Sequence, residues 1–236
     1  MKLLALDTAT ELCSAALWID GQLTTREETR ERGHGELILP MIEQLLQAGS
    51  VSLSQLDAIA FGRGPGAFTG VRLAVSVAQG LAFSAGLPVI PVSDLRALAA
   101  QLMLRQPADR VLVCQDARMG EVYWGCYERS EQLCTLVGSE AVASPAAVAL
   151  PALWQGTAVY GAGSGFAAYG EGLSRASGSL SNSDAQLRPR AQEIARLAAR
   201  EGKRAAVAPE EAQPVYLRDE VVSLPNQRVT ASSSRN

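Results

Sequence analysis

A single histidine in 236 residues, His34, removes most metalloenzyme arrangements at once. Ile38 stands four residues on, where a second imidazole would share the helical face, and no HExxH stretch occurs, so a paired-imidazole or zinc-peptidase site is excluded. Beside glycines at a helix start, His34 reads as a surface or capping residue. Cysteine is equally sparse. Cys13, Cys114, Cys126 and Cys134 form no CxxC pair, and several sit in apolar strand-like runs where a thiol acts as a small hydrophobe. They are expected to be reduced, in a cytoplasmic protein. No block of Lys or Arg stands out, and 21 basic against 24 acidic residues leave a net charge of -3. Any RNA role is therefore expected to run through a partner. No run approaches the roughly 20 apolar residues of a spanning helix, and the apolar stretch after Phe68 carries Arg72 and Gln79. The opening "MKLLALDTAT" is broken by Asp7 and has no small-residue cleavage region, so it reads as a strand rather than a signal peptide. A soluble protein with no membrane association is expected.

What is present is a hydrophobic share of 47%, enough for a sizeable core in one or two domains and too much for a disordered chain. "KLLALDTA", "CSAALWID", an Asp20-Gly21 turn and "QLTTREET" predict an antiparallel meander. Apolar residues at helical spacing, with Gly49 at the stop, predict a helix from about Glu36 to Ala48, with Pro40 near its first turn. The strand "LDAIAFG", a helix from about Phe68 to Ala85, the strand "PVIPVS" and a helix from about Asp94 to Arg105 follow. After Pro107 the order begins again. "RVLVCQDARMGEVYWGCYERSEQL" aligns with "MKLLALDTATELCSAALWIDGQL", Asp116 standing where Asp7 stood. "CTLVGSE", a helical stretch from about Ala146 to Trp154, the strand "GTAVYGAG" and the helix "RAQEIARLAAR" make a shorter copy. The expectation is an α/β protein of two lobes, residues 1–106 and 107–225, with a flexible tail over 226–236. "SRASGSLSNSD" reads as a mobile surface loop, and "PVYLRDEVV" as a late strand or extended piece that joins either lobe.

Two groups could carry function. The first is a cleft between the lobes. Asp7 and Thr8 at one strand end, and Asp116 with Arg118 at its counterpart, have the residue types that hold hydrated magnesium and phosphate, though the same residues also satisfy turn backbones. The loop "GRGPGAFTG" precedes a helix as a phosphate cradle does, yet no Gly-Lys-Ser/Thr follows. Gly64 and Gly66 then serve backbone geometry and the entry to the helix. The second group is apolar. Gly70, Ala74 and Ala78 lie four apart, with Leu73, Val77 and Leu81 as a further strip, and Gly80 requires a reason such as close backbone approach. Leu37, Ile38, Met41, Ile42, Leu45 and Leu46 make a stripe wider than packing on one sheet requires. These two helices are expected to form an exposed patch that docks on another subunit, or on a second copy when the chain is alone.

"LALDTAT" before "CSAAL", then "GRGPGAFTGVR", "DARMGEVY" and "PVYLR", together resemble the TsaB (YeaZ) family over most of the chain. The resemblance implies two RNase H-like lobes in the architecture of actin, Hsp70 and sugar kinases. It implies a noncatalytic subunit with no cofactor and no metal, needed for the threonylcarbamoyl group on adenosine 37 of tRNAs that read codons beginning with A. Its partners would be TsaD in a heterodimer and TsaE in a larger complex, with tRNA reached only through that complex. The alternative is an independent Mg-ATP-dependent enzyme of the same fold, built around Asp7 and Asp116.

Overall fold

The computed structural model of the chain describes residues 1–177 and 180–218. The first half comprises β1 (Lys2–Asp7), β2 (Leu12–Ile19), β3 (Gln22–Thr29), α1 (His34–Ala48), β4 (Ala58–Gly62), α2 (Phe68–Ala85), β5 (Val89–Val92) and α3 (Asp94–Arg105). The second comprises β6 (Arg110–Arg118), β7 (Glu121–Ser130), β8 (Leu133–Ala143), β9 (Tyr160–Ala162), α4 (Gly165–Ser177), β10 (Asn182–Asp184) and α5 (Ala191–Glu201). The strand orders β3-β2-β1-β4-β5 and β8-β7-β6-β9-β10 are the same topology written twice. In each, an antiparallel meander is extended by two parallel strands on the far side of its first strand. This is the expected pair of RNase H-like lobes.

Alternation along β1 divides the first core. Leu4 and Leu6, with Ala15, Leu17, Ile59 and Phe61, pack beneath α1 and α2. Leu3 and Ala5, with Ala16, Ala58 and Ala60, face the other way. A strand apolar on both faces is the signature of a sheet covered on both sides. What covers the inner face comes largely from the other half of the chain: α5 packs on β1, β2 and β4, whereas α3 packs on β6, β7 and β8. The two helices thus form one layer between the sheets. Consequently α3 is buried nearly all round, through Leu95, Ala97, Leu98, Ala99, Ala100, Leu102 and Met103, and its alanines let α5 and the second sheet approach. Its N-terminus is capped by Ser93 Oγ, which accepts from Arg96 N at 3.2 Å. Beyond its C-terminus, Arg129 from β7 donates to the carbonyls of Met103, Gln106 and Ala108. The Arg96–Glu201 ion pair ties α3 to the end of α5.

Several expectations are corrected. The stretch from Ala146 to Trp154 is two short 3-10 turns, Pro145–Ala147 and Ala152–Trp154, because Pro151 lacks the N–H that would continue a helix. The strand in "GTAVYGAG" is only Tyr160–Ala162, and α4 follows it unexpectedly. Its glycines hid it. Gly165 lies where an added Cβ would stand 2.8 Å from the Cys114 carbonyl oxygen, so close docking on β6 forces a residue that lowers helix propensity. Within the expected loop, Ser174–Ser177 ends α4 and Asn182–Asp184 pairs with β9. α1 starts at His34, which puts Pro40 beyond the first turn. "PVYLR" is extended, and Val215 N donates to the Arg63 carbonyl at 2.8 Å, while the expected tail lies outside the described residues.

Because α3 and α5 pack on each other as one layer that joins the two sheets, Leu98→Ala should cost about 2–5 kcal/mol and lower one common melting transition. Calorimetry showing two transitions, with only one shifted, would contradict the shared layer.

Candidate functional site

The loop between β4 and α2 is filled by the chain itself. Gly64 N donates to Asp94 Oδ2 at 2.6 Å, and Ala67 N donates to the Ala9 carbonyl at 2.8 Å. Thr8 Oγ1 donates to the Gly70 carbonyl at 2.6 Å, and Ala9 N donates to Asp7 Oδ1 at 2.7 Å. Two amides that could cradle an anion are therefore committed to protein acceptors. The glycines make this contact sterically feasible: a Cβ on Gly70 would lie 2.1 Å from Thr8 O, and one on Gly66 2.7 Å from Ala9 O. Gly64 adds a positive φ of 95°, which favours glycine.

Beneath the loop lies a buried pair of carboxyl groups. Asp7 and Asp94 are both fully buried, and Asp7 Oδ2 and Asp94 Oδ1 have no hydrogen-bond partner apart from each other. Both oxygens crowd the position where Gly62 would carry a Cβ, at 2.4 and 2.3 Å. Burial first, then the Asp7 charge, pushes the Asp94 carboxyl well above the ordinary carboxylate range. Asp94 is therefore biased toward its protonated form, since two adjacent buried carboxylates cannot both ionise cheaply. Glu140, the next charge facing Asp94, is itself held by Ser93, Tyr127 and Arg63.

Above the loop a cleft of about 940 Å³ is lined by Gly66, Phe68, Gln115, Asp116, Arg118 and Tyr216, among others. The cleft therefore receives Asp116 and Arg118 as expected, whereas Asp7 and Thr8 are sealed below it. Its charges largely neutralise one another. Arg118 meets Asp116 at 3.3 Å, Arg188 pairs with Glu11, and Arg218 with Glu121. The Tyr169 hydroxyl and the Arg118 amide both donate to Asp116 Oδ1, at 3.1 and 2.8 Å. At the rim Arg72 lies 3.7 Å from the Phe68 ring centroid and donates to the Tyr216 hydroxyl at 2.7 Å, which fastens the last described segment to α2. Nothing in the spacing of Phe68, Arg72 and Tyr216 announces that cluster. Among the described residues no three His, Cys, Asp or Glu side chains gather, and His34 Nε2 donates to the Arg30 carbonyl at 2.8 Å.

The outer surface of α1 and α2 is the third feature. Ile38, Met41, Ile42, Leu45, Ala74 and Ala78, expected on an exposed patch, are buried against the first sheet. Leu37, Leu46, Leu73, Val77, Leu81 and Gly70 are half-buried. The exposed apolar members were missed: Leu39 is 50% exposed and Phe83 80%. A groove of about 480 Å³ runs between the helices, with Leu39, Leu46 and Leu81 in its walls. Gly70 has the close backbone neighbour that a helical glycine implies, but Gly80 faces outward, and a Cβ added there would meet nothing within 4 Å. α2 is apolar enough over its 18 residues to match a membrane span by composition, yet Val71, Ala74, Val75, Ala78 and Ala82 are committed to the sheet.

A family model described as TsaD, tRNA N6-adenosine threonylcarbamoyltransferase, matches residues 27–224. The chain is 42% identical to the tRNA threonylcarbamoyladenosine biosynthesis protein TsaB of Escherichia coli K12, over 94% of this chain and 96% of that one. It is 41% identical to the protein of the same name from Haemophilus influenzae, over 94% and 95%. Its fold is similar to that of YeaZ from Pseudomonas aeruginosa, with a TM-score of 0.86 and 47% identity, covering 92% of this chain and 99% of that one.

The buried pair fixes a direction of pH dependence. A carboxyl whose pKa is raised on folding lends stability that is complete below its unfolded pKa and is lost as pH rises through the folded one. Asp94→Asn keeps an acceptor for Gly64 N and offers Asp7 an uncharged donor. It should flatten that loss, gaining stability relative to wild type as pH is raised from 5 to 8 in chemical denaturation. Asp94→Ala should instead cost about 1–3 kcal/mol at pH 5 by leaving polar groups unpaired. Parallel pH profiles for Asp94→Asn and wild type would show that folding does not raise the Asp94 carboxyl.

Proposed function

We propose, from the premise that the chain belongs to the TsaB (YeaZ) family, that it is a noncatalytic scaffold in the formation of threonylcarbamoyladenosine in tRNA. It binds and stabilises TsaD, the transferase, and joins TsaE in a larger cytoplasmic assembly. That assembly places the threonylcarbamoyl group on adenosine 37 of tRNAs reading codons that begin with A. When alone, the same face supports a symmetric dimer.

The observation that carries this reading is the outward face of α1 and α2. Leu39 is exposed in the wall of the groove that the half-buried Leu46 and Leu81 also line, and Phe83 is exposed on α2. Covering such surface is favourable by about 25 cal/mol per Å² of apolar area. Gly80 supports the same conclusion, because glycine in an exposed helix interior costs about 1 kcal/mol relative to alanine and gains nothing from its own fold. A partner backbone approaching α2 at that point would supply the compensation. The rival Mg-ATP reading loses its main support at the glycine loop, where the Gly64 and Ala67 amides and the Asp7 and Thr8 side chains are engaged internally.

Two sets of variants test the face. Leu39→Glu/Phe83→Glu alters exposed positions and should leave the circular dichroism and melting temperature of the isolated chain near wild type, while weakening its complex with TsaD at least about tenfold. Coelution of the variant with TsaD at wild-type affinity in gel filtration and titration would move the interface elsewhere. Turnover of Mg-ATP by the isolated chain would end the noncatalytic assignment. Separately, Gly80→Ala should raise the melting temperature of the isolated chain by about 2–4 °C, and Gly80→Leu should weaken the complex. Unchanged complex affinity with Gly80→Leu would remove Gly80 from the contact.

A further inference from the structure

The chain's acidic balance conceals a local excess of positive charge. Many guanidinium groups are matched with carboxylates, Arg96 with Glu201, Arg110 with Glu128, Arg129 with Asp109 and Arg190 with Glu193, while Arg26 and Arg72 bond uncharged groups instead. Arg196, Arg200, Lys203 and Arg204 have no carboxylate partner among the described residues, and they follow one another at the end of α5 and the 3-10 turn Gly202–Ala205. Glu201, the one acid among them, is turned to Arg96. Arg200, Lys203 and Arg204 are exposed, and with Gln132 and the ion-paired Glu201 they border a depression of about 720 Å³. Gly202 makes the turn possible, at φ 61° and ψ -155°, a conformation open essentially to glycine alone.

Ordinary helix chemistry accounts for part of this arrangement. A cation in the last turn is favoured by the carbonyl end of the helix dipole. Lys203 and Arg204 lie beyond that helix, however, and Arg196 and Arg200, one turn apart, repel each other. A run of unmatched cations held together in a folded turn is complementary to a polyanion with regularly spaced charges.

We infer that this turn is a phosphate-backbone contact for RNA, through which the chain itself touches tRNA. The choice of RNA over other polyanions rests on the proposed role in tRNA modification. The contact carries no sequence information, because it meets phosphates rather than base edges. It positions the nucleic acid and adds a salt-dependent share of affinity. It shares no residue with the outward face of α1 and α2, so the two can act at once.

Filter binding of tRNA to the isolated full-length chain tests this without reference to any partner. Wild type should retain tRNA at 50 mM salt. Arg200→Gln/Lys203→Gln/Arg204→Gln should bind about tenfold or more weakly there, while keeping the wild-type melting temperature and complex with TsaD. Each lost phosphate contact removes about 0.7–0.9 from the log-log salt slope, so between 50 and 200 mM salt wild type should lose about 20- to 40-fold more affinity than the variant. Failure of wild type to retain tRNA, or equal affinity and slope for the variant, would overturn the inference. So would binding of wild type to phosphatidylglycerol vesicles but not to tRNA, which would assign the turn to a membrane surface. Loss of the TsaD complex in the Leu39→Glu/Phe83→Glu variant bears only on the scaffold reading, so the two proposals fail separately.

Discussion

The structure depends on an exchange of helices across the middle of the molecule. Each sheet is apolar on its inner face, and neither half of the chain covers that face mainly with its own last helix. α3 follows the first sheet in sequence and packs chiefly on the second, while α5 follows the second and packs on the first. Leu3 and Ala5 of β1 and Val111 and Val113 of β6 consequently belong to one continuous core with Leu98 and Ile194 between them. With both helices removed to their own halves, each sheet would expose a row of buried aliphatic side chains to water. The duplication is thus visible in topology, whereas the core is single.

That shared layer also explains how the proposed functional surfaces are placed. Once α3 and α5 occupy the inner faces, α1 and α2 cover most of the outer face of the first sheet, with Leu56 and Ala212 beside them. A helix on an outer face buries one stripe and leaves the opposite one to solvent or to a partner. In α1 the opposite stripe carries Leu39 between Glu36 and Glu43, and in α2 it carries Gly80 and Phe83. The polar members of α1 keep that surface compatible with water, and the apolar ones give a partner something to cover.

The sequence made the meanders, α2, α3 and the repeat of strand order legible because their signals are local: alternation, helical spacing and a stopping glycine. It did not separate inward from outward positions on α1, since paired apolar residues such as Leu45 and Leu46 differ by only about 100° around the axis. Leu45 is fully buried and Leu46 half-buried, a division set by the sheet beneath. α4 was hidden for the opposite reason. Its Gly165 reflects close approach to Cys114 on another strand, a constraint from tertiary structure that reads locally as loop. The glycine loop was half legible: its residues signal an unusual backbone, but only the contacts of Ala9 with Ala67 and of Thr8 with Gly70 show that the chain itself fills it.

Charge was the least legible property. A net value of -3 describes the whole chain and conceals how carboxylates are distributed in space. Glu201 stands in sequence among Arg200, Lys203 and Arg204, where a reading by adjacency neutralises them, but its side chain is drawn inward to Arg96 of α3. The helix exchange therefore does more than close the core. By bringing α3 alongside α5, it removes the local counter-charge and leaves the neighbouring cations facing outward. A site that composition argues against arises because folding pairs the acid with a distant base.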